Sequence, residues 1–226
     1  ISSTIHHMLS TRRSFTVNRV PCALRHASSV PSAGFRWDSP YGQFGGIRDE
    51  QIAALHRDGV ACIPNFVPSA YADYLRTSLT SLVEKEAVRR SAEDPEDHKA
   101  VAFEASDKGH LDYLSDAYFL ESGDKVRYFL EPGQTKVSLA SLNKVAHALH
   151  TDGDVFQTFS SQPAFKSLAR RIGMRHPSVV QSMYILKPPR VGTAVGAHQD
   201  STWIHTRPFS CVAFWTALDD CTIHNS

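Results

Sequence analysis

The chain has 226 residues, 42% of them hydrophobic and 21% charged, with a formal net charge of +1. Those values describe one ordinary domain with an added tail, and so even a charge balance gives no electrostatic case for nucleic acid. No apolar run approaches the roughly 18 residues of a membrane span. The four cysteines lack paired spacing, so free thiols are expected rather than a zinc or disulfide framework.

The first 37 residues hold five arginines, frequent serines and no Asp or Glu, the first acid being Asp38. An acid-poor, Arg- and Ser-rich start is the composition of a mitochondrial transit peptide, which predicts residues 1–45 as a targeting or disordered tail. Arg19-Val20 and, after a gap of five residues, His26-Ala27 resemble a peroxisomal address instead. Pro21 sits poorly in the helix such a signal forms. Mitochondrial targeting is therefore the first expectation, with a peroxisomal or cytoplasmic location as the alternative.

Within the body, Asp49 reads as the N-cap of a short helix running to Arg57 and ended by Gly59. Ala61 to Ile63 reads as a short strand closed by Pro64. From Ala70 to Arg90, the residues Tyr71, Tyr74, Leu75, Leu79, Leu82 and Val83 make the apolar stripe of an amphipathic helix. A polar linker, Ser91 to Lys99, follows. Tyr118 to Leu130 is two apolar runs around Ser122-Gly123-Asp124, a hairpin pattern. Helices are predicted over Asp154–Phe159 and over Ala164–Ile172, the second opened by Pro163 and stopped by Gly173. Ser178–Leu186 and Cys211–Leu218 are strand-like, rich in β-branched and aromatic residues. Helices early and strands late predict an α+β, mainly β arrangement with helices covering one side of a sheet sandwich.

Between those last two strands lies Val195-Gly196-Ala197-His198-Gln199-Asp200-Ser201-Thr202-Trp203. In an extended strand, residues i and i+2 share a face, so His198 and Asp200 would aim an imidazole nitrogen and a carboxylate oxygen at one point. Such a pair is two-thirds of the ligand set of non-haem Fe(II) oxygenases, which leave other metal positions open. On spacing alone, a solvated His-Asp pair is the commoner outcome, and the surrounding text decides. His147 and His150 stand three apart, with Asp152 and Asp154 behind them; hydrogen bonding is expected there in preference to a metal. Taken singly, Lys144 reads as a solvated lysine, and Met183 and Trp215 as core. No phosphate loop, nucleophile elbow or zinc-protease motif occurs.

Six stretches carry a resemblance: DEQIAALHRDGVACIPNF (Asp49 to Phe66), YFLESGDKVRYF (Tyr118 to Phe129), SLNKVAHALH (Ser141 to His150), VVQSMYILKPP (Val179 to Pro189), GAHQDSTWI (Gly196 to Ile204) and FWTALDD (Phe214 to Asp220). In that order they resemble the phytanoyl-CoA dioxygenase family of Fe(II)- and 2-oxoglutarate-dependent oxygenases. The resemblance implies that residues 46–226 form a double-stranded β-helix, a cupin-like jelly roll of two packed sheets, behind covering N-terminal helices. It implies His198 and Asp200 as the catalytic iron ligands, Lys144 as a contact of 2-oxoglutarate, and Met183 and Trp215 as its lining. The implied partners are dioxygen and a small organic substrate, with an acyl-CoA as one candidate. The implied reaction hydroxylates that substrate while 2-oxoglutarate loses CO2 and becomes succinate. Asp200 favours hydroxylation, because halogenating relatives carry a small residue in its place. Lys125, Arg127 and Lys187 are the basic residues expected near an entrance.

The family's distal motif, a second iron histidine and an arginine that forks onto 2-oxoglutarate, has no counterpart here. His205 lies too close to Asp200 for that role, and His224 comes too early. The 28 residues after His198 leave room for two or three strands of about 5–6 residues, where a jelly roll needs about eight strands in all. The expectation is a C-terminally incomplete roll that holds iron weakly and leaves Cys211–Leu218 as an unpaired edge. An inactive jelly-roll remnant or binding protein is the alternative function.

Overall fold

A computed structural model describes residues 2–11, 37–92, 117–151, 153–195, 198–222 and 225. In chain order the elements are β1 (Ser2–Thr11), β2 (Trp37–Ser39), β3 (Gly42–Phe44), α1 (Asp49–Asp58), α2 (Ser69–Ala92), α3 (Ala117–Leu120), β4 (Val126–Leu130), β5 (Leu142–His147), α4 (Gly153–Ser160), α5 (Pro163–Arg171), β6 (Pro177–Lys187) and β7 (Val212–Ala217). Five strands make one sheet in the order β4-β5-β6-β1-β7, all neighbours antiparallel, and β2 and β3 form a separate ribbon.

The tail expected over residues 1–45 is corrected at both ends, since β2 and β3 occupy residues 37–44 and Phe44 is fully buried. Ser2–Thr11 is a strand inside the sheet, paired with β6 on one side and β7 on the other. Pairing with two distant strands makes it one, and the arginines behind the leader reading all lie beyond it, from Arg12 on. Residues 12–36, which include the Arg-Val and His-Ala pairs, lie outside the described residues.

Of the linker expected at Ser91–Lys99, the first two residues end α2 and the rest lie outside the described residues; elsewhere the local signals hold with three corrections. Helix α1 is capped at Arg48, one residue before Asp49, and its Gln51 side chain accepts the Arg48 N–H at 2.9 Å. Gly59 ends it in the left-handed region (φ 76°), a conformation without penalty only for glycine, and donates its N–H to Leu55 O at 2.9 Å. The strand expected at Ala61–Ile63 does not form, since Cys62 O is taken by Gln51 Nε2 at 2.6 Å. The first run of the expected hairpin is the one-turn helix α3; Ser122 Oγ donates to Phe119 O at 2.5 Å and closes that turn before β4 begins.

One face of the sheet is covered. Tyr71, Leu75, Leu79 and Val83, each four residues apart on α2, pack with Phe156, Phe159 and Phe165 of α4 and α5 against Tyr128, Val145, Tyr184 and Leu186 of the strands. Phe44 of β3 sits among Phe66, Tyr71, Phe159 and Phe165 with ring centroids 5.5 to 6.5 Å away. Each fully buried aromatic or aliphatic side chain stabilises this layer by roughly 1.5–3 kcal/mol.

The other face is open over β6 and β7, whereas on β4 and β5 its Phe129, Lys144 and Ala146 are buried. On β6, Ser182, Tyr184 and Leu186 are buried while Met183, Ile185 and Lys187 are half-buried; on β7, Thr216 is buried while Ala213, Trp215 and Ala217 are exposed. That alternation is the period of two expected of a strand with unlike faces. The edge expected at Cys211–Leu218 is paired with β1 along one side. Beyond its end, Arg76 of α2 donates to Leu218 O and lies 3.1 Å from Asp219 Oδ1.

Candidate active site

Strand register decides which of the singled-out residues share a face. Lys144 of β5 pairs with Phe129 and with Ile185, Ala146 pairs with Met183, and the position of His6 on β1 is opposite both Met183 and Trp215. Residues in register on neighbouring strands project to the same side. Lys144, Met183 and Trp215 therefore share the face of the sheet away from the helical layer, and Trp215, 52% exposed, is not a core residue.

Lys144 is buried, contrary to its reading as a solvated lysine, with its ammonium 5.2 Å from the Phe129 ring centroid and 5.7 Å from that of Phe119. Ring faces attract a cation, but loss of water dominates and pulls the Lys144 pKa down to about 7. His147 lies against the same two rings, its Nδ1 2.7 Å from Ser122 Oγ. Burial first, and the charge of Lys144 second, lower its pKa to about 3, so the imidazole is neutral. His150 turns to a different serine, with Nδ1 2.7 Å from Ser182 Oγ. The two histidines thus serve separate hydrogen bonds.

His198 and Asp200 do converge, though not on a strand. Gln199 is extended (φ −116°, ψ 123°), and Asp200 opens a 3-10 turn, Asp200–Thr202, in which the Asp200 carbonyl accepts the Trp203 and Ile204 amides at 3.0 and 2.8 Å. One extended residue is enough to bring His198 Nε2 to 3.3 Å from Asp200 Oδ1. The histidine side chain is 49% exposed and the carboxylate 26%, so the pair is open on one side. Cys211, just before β7, faces Asp200; burial first and that charge second raise its thiol pKa.

Sequence reasoning missed Glu131, which is fully buried at the end of β4. Its Oε1 accepts Asn143 Nδ2 at 3.0 Å, and its Oε2 accepts the Thr193 N–H at 3.1 Å and the Thr193 hydroxyl at 2.8 Å. Lys187 Nζ donates to Thr193 O at 2.7 Å; burial lowers the pKa of that lysine while Glu131 opposes the shift. The available signal was an acid at a strand end before Pro132-Gly133, opposite the asparagine beside Lys144. Of the other basic residues expected at an entrance, Arg127 lies 4.6 Å over the Tyr118 ring and exposed Lys125 lies 3.6 Å from Glu121.

The sequence profile of the family described as Phytanoyl-CoA dioxygenase (PhyH) matches residues 55–226. The chain belongs to the phytanoyl-CoA dioxygenase family. It is 32% identical over 188 residues to Phytanoyl-CoA dioxygenase of Arabidopsis thaliana, a match covering 80% of this chain and 62% of that protein. It is 41% identical over 116 residues to Phytanoyl-CoA dioxygenase domain-containing protein 1 of Mus musculus, covering 48% and 40%. Against the homolog of that protein in Dictyostelium discoideum, identity is 32% over 185 residues, covering 79% and 62%. The chain thus spans 40 to 62% of the length of these relatives.

Phytanoyl-CoA dioxygenase family members are generally Fe(II)- and 2-oxoglutarate-dependent oxygenases of cupin-like fold, and this chain has the mixed composition of helices and antiparallel sheet. One imidazole nitrogen and one carboxylate oxygen on a common side fit two coordination positions of a ferrous ion. Among the described residues, no group of three His, Cys, Asp or Glu side chains is placed to hold a metal.

Proposed function

We propose that the protein is an Fe(II)- and 2-oxoglutarate-dependent dioxygenase that hydroxylates a small organic substrate. The observation that supports this best is the convergence of His198 and Asp200, 3.3 Å apart and half open to solvent, in a chain of this family. Iron and 2-oxoglutarate, when bound, supply activation of dioxygen, with 2-oxoglutarate ending as succinate and CO2. His198 and Asp200 would hold the metal. Lys144 would meet a carboxylate of 2-oxoglutarate, which needs a charged partner once it leaves water. Met183 and Trp215 would line the same face. The sheet is then one wall of a double-stranded β-helix with its open face inward. Relatives are named for phytanoyl-CoA, so an acyl-CoA thioester is the first substrate to assay.

A second reading, a jelly-roll protein that binds without turning over, is favoured by the two-donor set. Succinate formation from 2-oxoglutarate with added Fe(II), compared between wild type and Asp200→Ala, separates the two. Iron-dependent turnover lost in the variant supports the oxygenase; equal rates in both proteins support the binder. From the acid-poor, Arg- and Ser-rich first 37 residues a mitochondrial location is proposed, with a peroxisomal or cytoplasmic one as the alternative; a diffuse cytosolic signal from residues 8–45 fused to a fluorescent protein would overturn the targeting.

A further inference from the structure

We infer that Glu131 is a positioning residue for the His198–Asp200 pair, acting through Thr193; the inference rests on the metal-site reading above and deepens it. A fully buried carboxylate costs stability unless donors surround it, and here three donors do. They come from two different parts of the chain. Asn143 is the immediate neighbour of Lys144 on β5, and Thr193 lies in the loop five residues before His198. The carboxylate is thus the joint between the strand that carries the basic residue and the loop that carries the donor pair.

Thr193 is pinned at both polar atoms of its backbone. Its N–H goes to Glu131 and its C=O receives Lys187 Nζ. The turn before it is equally fixed: Gly192 donates to Pro188 O at 2.9 Å, and a Cβ on Gly192 would stand 2.8 Å from that same oxygen. From this anchored point only residues 194–197 remain before the histidine. A loop held so close to its ligands sets where they point, as hydrogen-bonded supports of metal ligands do elsewhere.

The test exploits acceptor count. Glu131→Gln keeps the size but removes the charge and exchanges one acceptor for a donor, so Asn143 must turn its amide over before it and Thr193 can both be bonded. Adding Asn143→Asp reverses the direction of one bond and restores the set. The readouts are Co(II) affinity by absorbance titration, amide hydrogen exchange over residues 193–204, and thermal unfolding. Glu131→Gln is expected to weaken Co(II) binding by about tenfold or more and to speed exchange in that segment, and the double variant is expected to recover most of both. A folded single variant that binds Co(II) like wild type overturns the inference, as does a double variant that recovers stability but not Co(II) affinity. Should Glu131→Gln fail to fold, Thr193→Val removes only the hydroxyl arm; a smaller loss of Co(II) affinity supports the inference and an unchanged value overturns it. If wild type and Asp200→Ala bind Co(II) equally poorly, the metal-site reading itself fails and takes the inference with it.

Discussion

Lys144 and Phe129 face each other across the β4–β5 pair, with the ammonium 5.2 Å from the ring centroid and buried from water. The arrangement keeps a basic group out of water at a cost in stability. Lys144→Met is expected to raise the stability of the ligand-free protein by about 1 kcal/mol at neutral pH, the size of gain usual when a functional strain is removed. The same variant should lose 2-oxoglutarate binding. Thermal melts and calorimetric titration check both halves; a less stable variant would show that the lysine supports the fold.

The pH dependence of that lysine has a definite sign. Its folded pKa is about 7 and its unfolded value near 10.4, so the unfolded chain binds the extra proton between those limits. The stability gap between wild type and Lys144→Met should therefore narrow as pH rises from 7 to 10. Affinity for 2-oxoglutarate should fall over the same interval, because the anion needs the protonated amine. Titrations at three pH values above 7 would reveal a flat affinity if the lysine is not the contact.

His147 gives the opposite end of the scale. It is neutral in the fold with a pKa of about 3, while the unfolded chain protonates it near 6.5. Its contribution is present above pH 6.5 and is lost as pH falls towards 3, at up to about 1.4 kcal/mol per pH unit. Urea unfolding between pH 4 and 7 should show a shallower slope in His147→Gln than in wild type. Parallel slopes would assign the acid sensitivity to other groups.

Gly192 has no room for a methyl group, since a Cβ would meet Pro188 O at 2.8 Å, backbone against backbone. Gly192→Ala is expected to cost about 1–3 kcal/mol, as overpacking does, and to disturb the loop ahead of His198. A variant with unchanged melting and unchanged hydrogen exchange at residues 193–204 would remove the loop's rigidity from the argument.

Phe44 is fully buried and touches rings from α2, α4 and α5. Phe44→Ala should destabilise by about 3–5 kcal/mol, measured by chemical unfolding. A loss near 1 kcal/mol would mean that the helical layer closes over the gap.

Local chemistry made much of this fold legible. The spacing of Tyr71, Leu75, Leu79 and Val83 located α2, Pro163 and Gly173 bounded α5, and β-branched runs located β6 and β7. What escaped was decided by contacts between distant segments. Ala61–Ile63 has strand character but pairs with no strand among the described residues, and Ser2–Thr11 has two neighbours that no local pattern announces. The His198–Asp200 pair was visible from its spacing, whereas Glu131 was not. A single acid reveals nothing until Asn143 and Thr193 arrive beside it.

The place of β1 between β6 and β7 bears on how the chain assembles. Thr4 finds its neighbours at Ile185 and Ala217, about 180 and 210 positions later. Synthesis at about 5–20 residues per second leaves that strand without either neighbour for roughly ten to forty seconds. Pairings at such separation also form slowly because the intervening loop must close first. The helical layer can condense before either pairing is possible; the sheet closes around β1 only once Ala217 has been made.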